Sequence, residues 1–181
     1  MTAIATISVI DAVLGCALAL DPVQELTGAQ NRGYFVDAIN RYCGSPLGSA
    51  WCLNFCHYVG AHAIGGLWPI GHDGNCDHLY KAAELRGILR TEPVRGAIFL
   101  KMNAQNRADA THAGFVDTVI KNSGHPVLGA NGFRTIEGNS NDKGSREGKA
   151  VVRLTRPLTA GEQYVFVEWA ALVPVFGIAN S

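Results

Sequence analysis

Four polar residues carry side chains suited to hydrolytic chemistry: Cys52, His112, Glu137 and Asn139. Cys52 lies in Gly48-Ser49-Ala50-Trp51-Cys52-Leu53-Asn54-Phe55, where a helix is expected to open. Unpaired N–H groups and the helix dipole favour negative charge at that end, so they lower a thiol's pKa and raise its share of reactive thiolate. A base must take the thiol proton, and imidazole titrates in the right range. His112 opens the apolar run Ala113-Gly114-Phe115-Val116. Glu137 ends the next expected strand, in Thr135-Ile136-Glu137-Gly138-Asn139-Ser140. From an adjacent antiparallel strand, its carboxylate can accept the second imidazole N–H, fix the tautomer and stabilise imidazolium. Asn139 stands two positions on, on the same face of an extended chain. It competes with Glu137 for that role.

Each residue also has a plainer reading. Cysteine is among the most buried residue types, and a histidine can simply end a strand. Gly-Asn-Ser-Asn is strong turn chemistry. Trp51, beside the cysteine, can wall a substrate groove or pack inward. Cys52, Cys56, His57, Cys76 and His78 would be the donors of a metal site, but Cys-x3-Cys-His is not a common zinc spacing. No metal and no cofactor is expected. Cys56 is expected in the core one turn below Cys52, with Cys16 and Cys43 also in the core. His57, His62, His72, His78 and His125 are read as surface or capping residues, and Trp68 and Trp169 as core.

The elements that must position these residues fall into two halves. Ile7, Ile10, Val13, Leu14, Ala17 and Leu18 recur at helical spacing and predict a helix over about 5–20, ended by Asp21-Pro22. A second helix is expected over 33–43, with Phe35, Val36, Ile39 and Tyr42 as its apolar positions. A third is expected over about 50–63 with Ser49 as N-cap, and a fourth over 77–86 stopped by Gly87. The second half holds short runs rich in β-branched and aromatic residues at 97–102, 113–120, 133–137, 150–155 and 164–169, separated by turn residues. Helices first and strands later predict an α+β fold, with N-terminal helices packed on a C-terminal antiparallel sheet.

The 181-residue chain is 48% hydrophobic and 17% charged, a globular balance long enough for one domain with its own core. A single domain over 1–181 is expected, with no separate binding domain. Net charge is zero, so no overall field draws in nucleic acid or acidic lipid. Residues 1–80 hold two basic residues against six acids, which leaves the rest mildly basic, a pattern read as solvated surface. Five cysteines are few and odd in number, which argues against a disulfide scaffold. The apolar stretch 3–20 invites comparison with an export signal. It has no basic start, since Arg32 is the first Lys or Arg, and Asp11 interrupts it. Val13-Leu14-Gly15-Cys16 loosely resembles a lipoprotein cleavage site, but a packed helix is expected instead. The stretch is too short and interrupted to span a membrane.

The order of these segments resembles the cysteine- and histidine-dependent amidohydrolase/peptidase (CHAP) domain, of the papain-like superfamily. The carriers run from about Val23 to Trp169. They are Glu25-Leu26-Thr27-Gly28 with Asn31 and Gly33; Ala50-Trp51-Cys52 leading into Phe55; Arg95-Gly96-Ala97-Ile98; His112-Ala113-Gly114-Phe115-Val116; and Glu137-Gly138-Asn139-Ser140-Asn141 followed by Gly144-Ser145-Arg146-Glu147-Gly148. The resemblance implies that Cys52 is the nucleophile, His112 its base, and Glu137 the acid orienting the histidine, with Asn139 supporting or replacing it. It implies hydrolysis of amide bonds in bacterial peptidoglycan, by amidase or endopeptidase action, as in a phage lysin or a bacterial effector. An effector would have an immunity or delivery protein as partner. Such an enzyme would be made in the cytoplasm and act on the wall after release or delivery. The alternatives are an intracellular amidase of small peptide conjugates and a catalytically silent binding or structural module. Leu53 and Ala97 depart from the Ala and Asp of many members. Residues 38–51 contain no acid, so the calcium site of some members is expected to be absent.

Overall fold

The Ser8 hydroxyl accepts the N–H of Asp11 at 3.1 Å and so caps α1, Val9–Ala19. The computed structural model describes residues 8–21, 23–106, 108–121, 130–141, 148–159 and 163–174. Asp11, the acid inside the apolar run, faces outward and pairs with Arg95 at 2.8 Å. Val13, Leu14 and Ala17 form the buried stripe. Then come α2, Tyr34–Tyr42, α3, Cys52–Ile64, and α4, Cys76–Leu85. Asn75 caps α4 by accepting the N–H groups of Asp77 and His78, and Gly87, at φ +67°, turns the chain beyond it. The strands are β1, Leu89–Arg90, β2, Ile98–Met102, β3, Ala110–Lys121, β4, Ala130–Ser140, β5, Ala150–Pro157, and β6, Tyr164–Val167. They form one antiparallel sheet in the order β1-β6-β2-β3-β4-β5. The fold is α+β. Among the described residues, no helix is long and apolar enough to cross a membrane.

Period-two alternation divides the sheet. Ile98, Leu100, Ala113, Phe115, Ile136 and Val167 pack with helix residues such as Val36, Leu53, Phe55 and Val59 in the main core. Ala97, Phe99, Val116, Phe133 and Phe166 form a smaller cluster on the other face. Burial of the alternate residues on both faces fixes strand register, because a one-residue slip would exchange the two sets.

Several boundaries differ from the sequence reading. Ser49 does not cap α3; Trp51 holds the N-cap position and makes no side-chain cap bond. Phe35 and Tyr42 are exposed while Val36 and Ile39 are buried, so the apolar stripe of α2 is narrower than its composition suggests. β3 and β4 extend beyond their apolar runs, because ladder pairing rather than side-chain type decides where they end. Trp169 leaves the sheet and starts a short 3-10 turn, with its indole N–H donating to the Gly96 carbonyl at 2.7 Å. β1 has only two residues, too few for any alternation to show in the sequence.

Candidate active site

The β3–β4 ladder runs from Lys121↔Ala130 to Phe115↔Ile136 and stops there. Toward His112 the two strands part, and the first turn of α3 fills the opening. Gly138 makes this possible: a Cβ there would lie 2.6 Å from Phe55 Cβ and 2.7 Å from Trp51 Cζ3. The Ala113 backbone beside His112 helps to lower the Cys52 thiol. Cys52 is thus placed between a helix start and two strand ends.

The loop ahead of Cys52 is held by a polar network. Glu25 Oε1 accepts the Trp51 indole N–H at 3.0 Å, and Oε2 accepts the Asn31 N–H at 2.9 Å. Asn31, at φ +53°, donates its side-chain amide to the Gly48 carbonyl. Asn40 donates to the Ser49 carbonyl, and Asn54 donates to Asn40 and Ser45. The bridge Gln24↔Ala150 anchors this segment to the edge of the sheet. The N–H groups of Cys52, Leu53 and Asn54 precede the first intrahelical bond, from Phe55 N–H to the Trp51 carbonyl, so none has a partner within the helix.

His112 Nε2 and Glu137 Oε2 are 2.8 Å apart. The other nitrogen, Nδ1, is buried without a well-formed hydrogen bond, and His112 and Cys52 each shift the other's titration. Glu137 is wholly buried and saturated with donors. Besides His112 it accepts from Thr135 Oγ1 at 2.5 Å, Ser140 Oγ at 3.1 Å, and Arg156 Nε and Nη2 at 2.6 Å each. Arg156 also lies over the Phe99 ring, 5.1 Å from its centroid. Gly114 leaves room for this arrangement: a Cβ there would be 2.8 Å from both Glu137 Cγ and Phe99 Cε1.

Electrostatics follow from the geometry. The Cys52 thiol is held well below its ordinary range, first by a hydrogen bond from Cys76, against burial, and then by His112. Burial alone would push His112 down; hydrogen bonds and charge from Cys52 and Glu137 outweigh it and raise the imidazole to about 9. Burial would likewise raise Glu137, but His112 and Arg156 hold it at about 2. These directions favour a thiolate–imidazolium pair backed by a carboxylate. The other four thiols shift the opposite way. Burial raises Cys16 and Cys56, and pushes Cys43 up to about 12. Cys76 is raised by its bond to Cys52 and by burial. All five cysteines are free.

The structure thus brings Cys52, His112 and Glu137 into one chain of contacts. Asn139 is buried beside them, but its side chain has no hydrogen-bond partner among the described residues and does not reach His112. Its backbone sits at φ +53°, and the ladder shifts register between Glu137 and Ser140, so the alternation behind the same-face expectation breaks at this residue. Trp51 is wholly buried and bonded to Glu25, so it presents no face to a groove. His57 is no surface residue: it is 1% exposed, it accepts the Trp68 indole N–H at Nδ1, and its Nε2 lies 3.0 Å from the Asp73 carbonyl. His125 lies outside the described residues. Arg156, Thr135, Ser140, Gly114 and Cys76 surround the site; the sequence reading did not name Arg156, quoted Thr135, Ser140 and Gly114 only within motifs, and weighed Cys76 only as a metal donor. In comparisons with known proteins, no family model, no curated protein and no solved structure matches the chain.

Proposed function

We propose that the protein is a cysteine hydrolase of amide bonds, with Cys52 as nucleophile, His112 as acid and base, and Glu137 as the residue that orients His112. The observation that carries this reading is the Cys52–His112–Glu137 contact chain at the unpaired N–H end of α3. The Cys52 thiolate attacks the amide carbonyl carbon. Backbone N–H groups at the helix start, including that of Cys52, take the charge on the carbonyl oxygen. His112 gives its proton to the departing amine as the C–N bond breaks. A water, deprotonated by His112, then attacks the thioester carbon, the C–S bond breaks, and the carboxylic acid leaves. Glu137 keeps the imidazole turned toward Cys52, and Arg156 keeps Glu137 ionised and fixed.

The fold reading is a papain-like CHAP domain, and the substrate class is peptidoglycan. The support for both is the ordered set of segments around Glu25, Cys52, His112 and Glu137. They share one neighbourhood: Glu25 holds Trp51, and Gly114 and Gly138 make room for Glu137 and α3. A wall amidase or endopeptidase of a phage lysin or bacterial effector fits this reading. The test is digestion of purified peptidoglycan by the wild type and by Cys52→Ala, with mass spectrometry of the released fragments. New amine and carboxyl ends are expected from the wild type alone. Equal release by folded Cys52→Ala would overturn the assignment of Cys52. An intact wall together with Cys52-dependent cleavage of small peptide amides would move the substrate to small conjugates.

A further inference from the structure

The proposed reaction gives Cys76 no step of its own, yet Cys76 opens α4 as Cys52 opens α3. Two ties bring these helix starts together. Gly74, in the turn ahead of α4, lies against the Asn54 side chain in the first turn of α3, so closely that a Cβ there would overlap it. Asp77 Oδ1 accepts the Ala110 N–H at 2.6 Å, which fixes the first turn of α4 to β3 two residues before His112. Between these ties Cys52 and Cys76 lie in the same core cluster, close enough that each thiol shifts the other's titration. Cys52 and Cys76 are 7% and 8% exposed, so both are shielded without being sealed. Cys56 is placed differently. Its thiol donates to the Cys52 carbonyl at 3.6 Å, one turn along the same helix, so its hydrogen bond goes to backbone.

We propose that Cys52 and Cys76 form a reversible redox pair: hydrogen peroxide converts them to a disulfide that silences the nucleophile, and a thiol reductant restores it. This rests on Cys52 being the activated thiol of the site. In the first step the Cys52 thiolate attacks one peroxide oxygen and the O–O bond breaks. Cys52 becomes a sulfenic acid, and the other oxygen leaves as hydroxide, which takes a proton to become water. In the second step the Cys76 sulfur loses its proton and attacks the Cys52 sulfur. The S–O bond breaks and a second water leaves. Two thiols are oxidised, and one peroxide is reduced to two waters. Forming the bond brings the two sulfurs to about 2.05 Å. A low-pKa thiolate is the form that peroxide attacks, and an adjacent thiol intercepts the sulfenic acid before it climbs to the irreversible sulfinic state.

The test treats reduced protein with hydrogen peroxide, alkylates the remaining thiols and maps the peptides by mass. A Cys52–Cys76 linked peptide is expected, with Cys16, Cys43 and Cys56 alkylated, and dithiothreitol should return Cys52 to the alkylatable form. In Cys76→Ala the same treatment should carry Cys52 to sulfinic acid that dithiothreitol does not reverse. Cys76→Ser serves the same comparison should the Ala variant fold poorly. Sulfinic acid at Cys52 in the wild type as readily as in the variants, or a Cys52–Cys56 link instead, would overturn the proposal. The readout needs no substrate. Disulfide formation in a protein that hydrolyses no amide would sink the functional reading and keep this one; hydrolysis without the disulfide would do the reverse.

Discussion

Glu137→Gln keeps the size of the side chain and removes its charge, and its consequences can be worked from the site. His112 rises from 6.5 to about 9 in the folded protein, a preference for imidazolium worth about 3 kcal/mol. Two anions supply it against burial: the Cys52 thiolate and the Glu137 carboxylate. If they share it equally, Glu137 accounts for about half of it, or roughly tenfold in the population of the reactive ion pair. Loss of orientation adds to this, and a triad that loses its carboxylate falls by up to about ten-thousandfold. Turnover of Glu137→Gln should therefore drop between those bounds. The basic limb of the pH–rate profile, set by the imidazolium at about 9, should move toward 6.5. Stability should fall as well, because the buried Arg156 guanidinium loses its counter-ion, and breaking one side of a buried pair costs about 3–5 kcal/mol. The sign is consistent: a carboxyl depressed to about 2 stabilises the fold above its ordinary value and loses that contribution only as pH falls through about 2, so at neutral pH the whole penalty is visible. The His112 contribution runs the other way, complete below 6.5 and lost as pH rises through about 9. The assay is a pH–rate profile of wild type, Glu137→Gln and Asn139→Ala, each checked by circular dichroism and thermal melting. Asn139→Ala should lose less, since its side chain does not reach His112. A Gln variant with near wild-type turnover and an unmoved basic limb would refute the reasoning, and a larger loss in Asn139→Ala would transfer the role.

Further outcomes follow from single contacts. Gly114→Ala should lower turnover and cost about 1–3 kcal/mol in chemical denaturation, as overpacked cores do, because its Cβ would meet Glu137 Cγ and Phe99 at 2.8 Å; wild-type stability and rate would show that Glu137 has slack. Chelators should leave hydrolysis unchanged, since residues 38–51 lack the carboxylates a hard cation needs; loss in EDTA restored by calcium would contradict this.

The α+β order of the chain was legible because helical and alternating periodicities occupy different halves, and Cys52 and His112 could be proposed as nucleophile and base because each stands near the start of an element in a distinctive local sequence. Glu137 could be named but not separated from Asn139. That choice turns on one left-handed residue and a ladder shift, which alternation cannot foresee. Arg156 and Cys76 were illegible for a different reason. Nothing local distinguishes Arg156 from Arg153: only pairing of β5 with β4, with Arg156 opposite Phe133 and Arg153 opposite Ile136, puts the first on the face of Glu137 and the second elsewhere. Cys76 stands just ahead of the helix expected over 77–86 and was weighed only as a metal donor; its place near Cys52 emerges once Gly74 and Asp77 tie its helix to Asn54 and Ala110. Ser49 looked like the α3 cap because its residue type suits the position, yet the chain leaves that helix end uncapped and points it at the nucleophile. Local rules thus failed at the place where unpaired donors are useful.

The activated state of Cys52 is tested most directly by its alkylation rate as a function of pH, read peptide by peptide with iodoacetamide and mass spectrometry. An ordinary cysteine starts from 9.0, and Cys16, Cys43, Cys56 and Cys76 are all raised above that value. Cys52, held as a thiolate by Cys76 and His112, should react at pH 6 and keep a nearly level rate through neutrality, while the other four stay silent. A Cys52 rate that is negligible at pH 6 and climbs only through pH 9, in step with an ordinary thiol, would contradict the thiolate–imidazolium pair and the hydrolytic mechanism built on it.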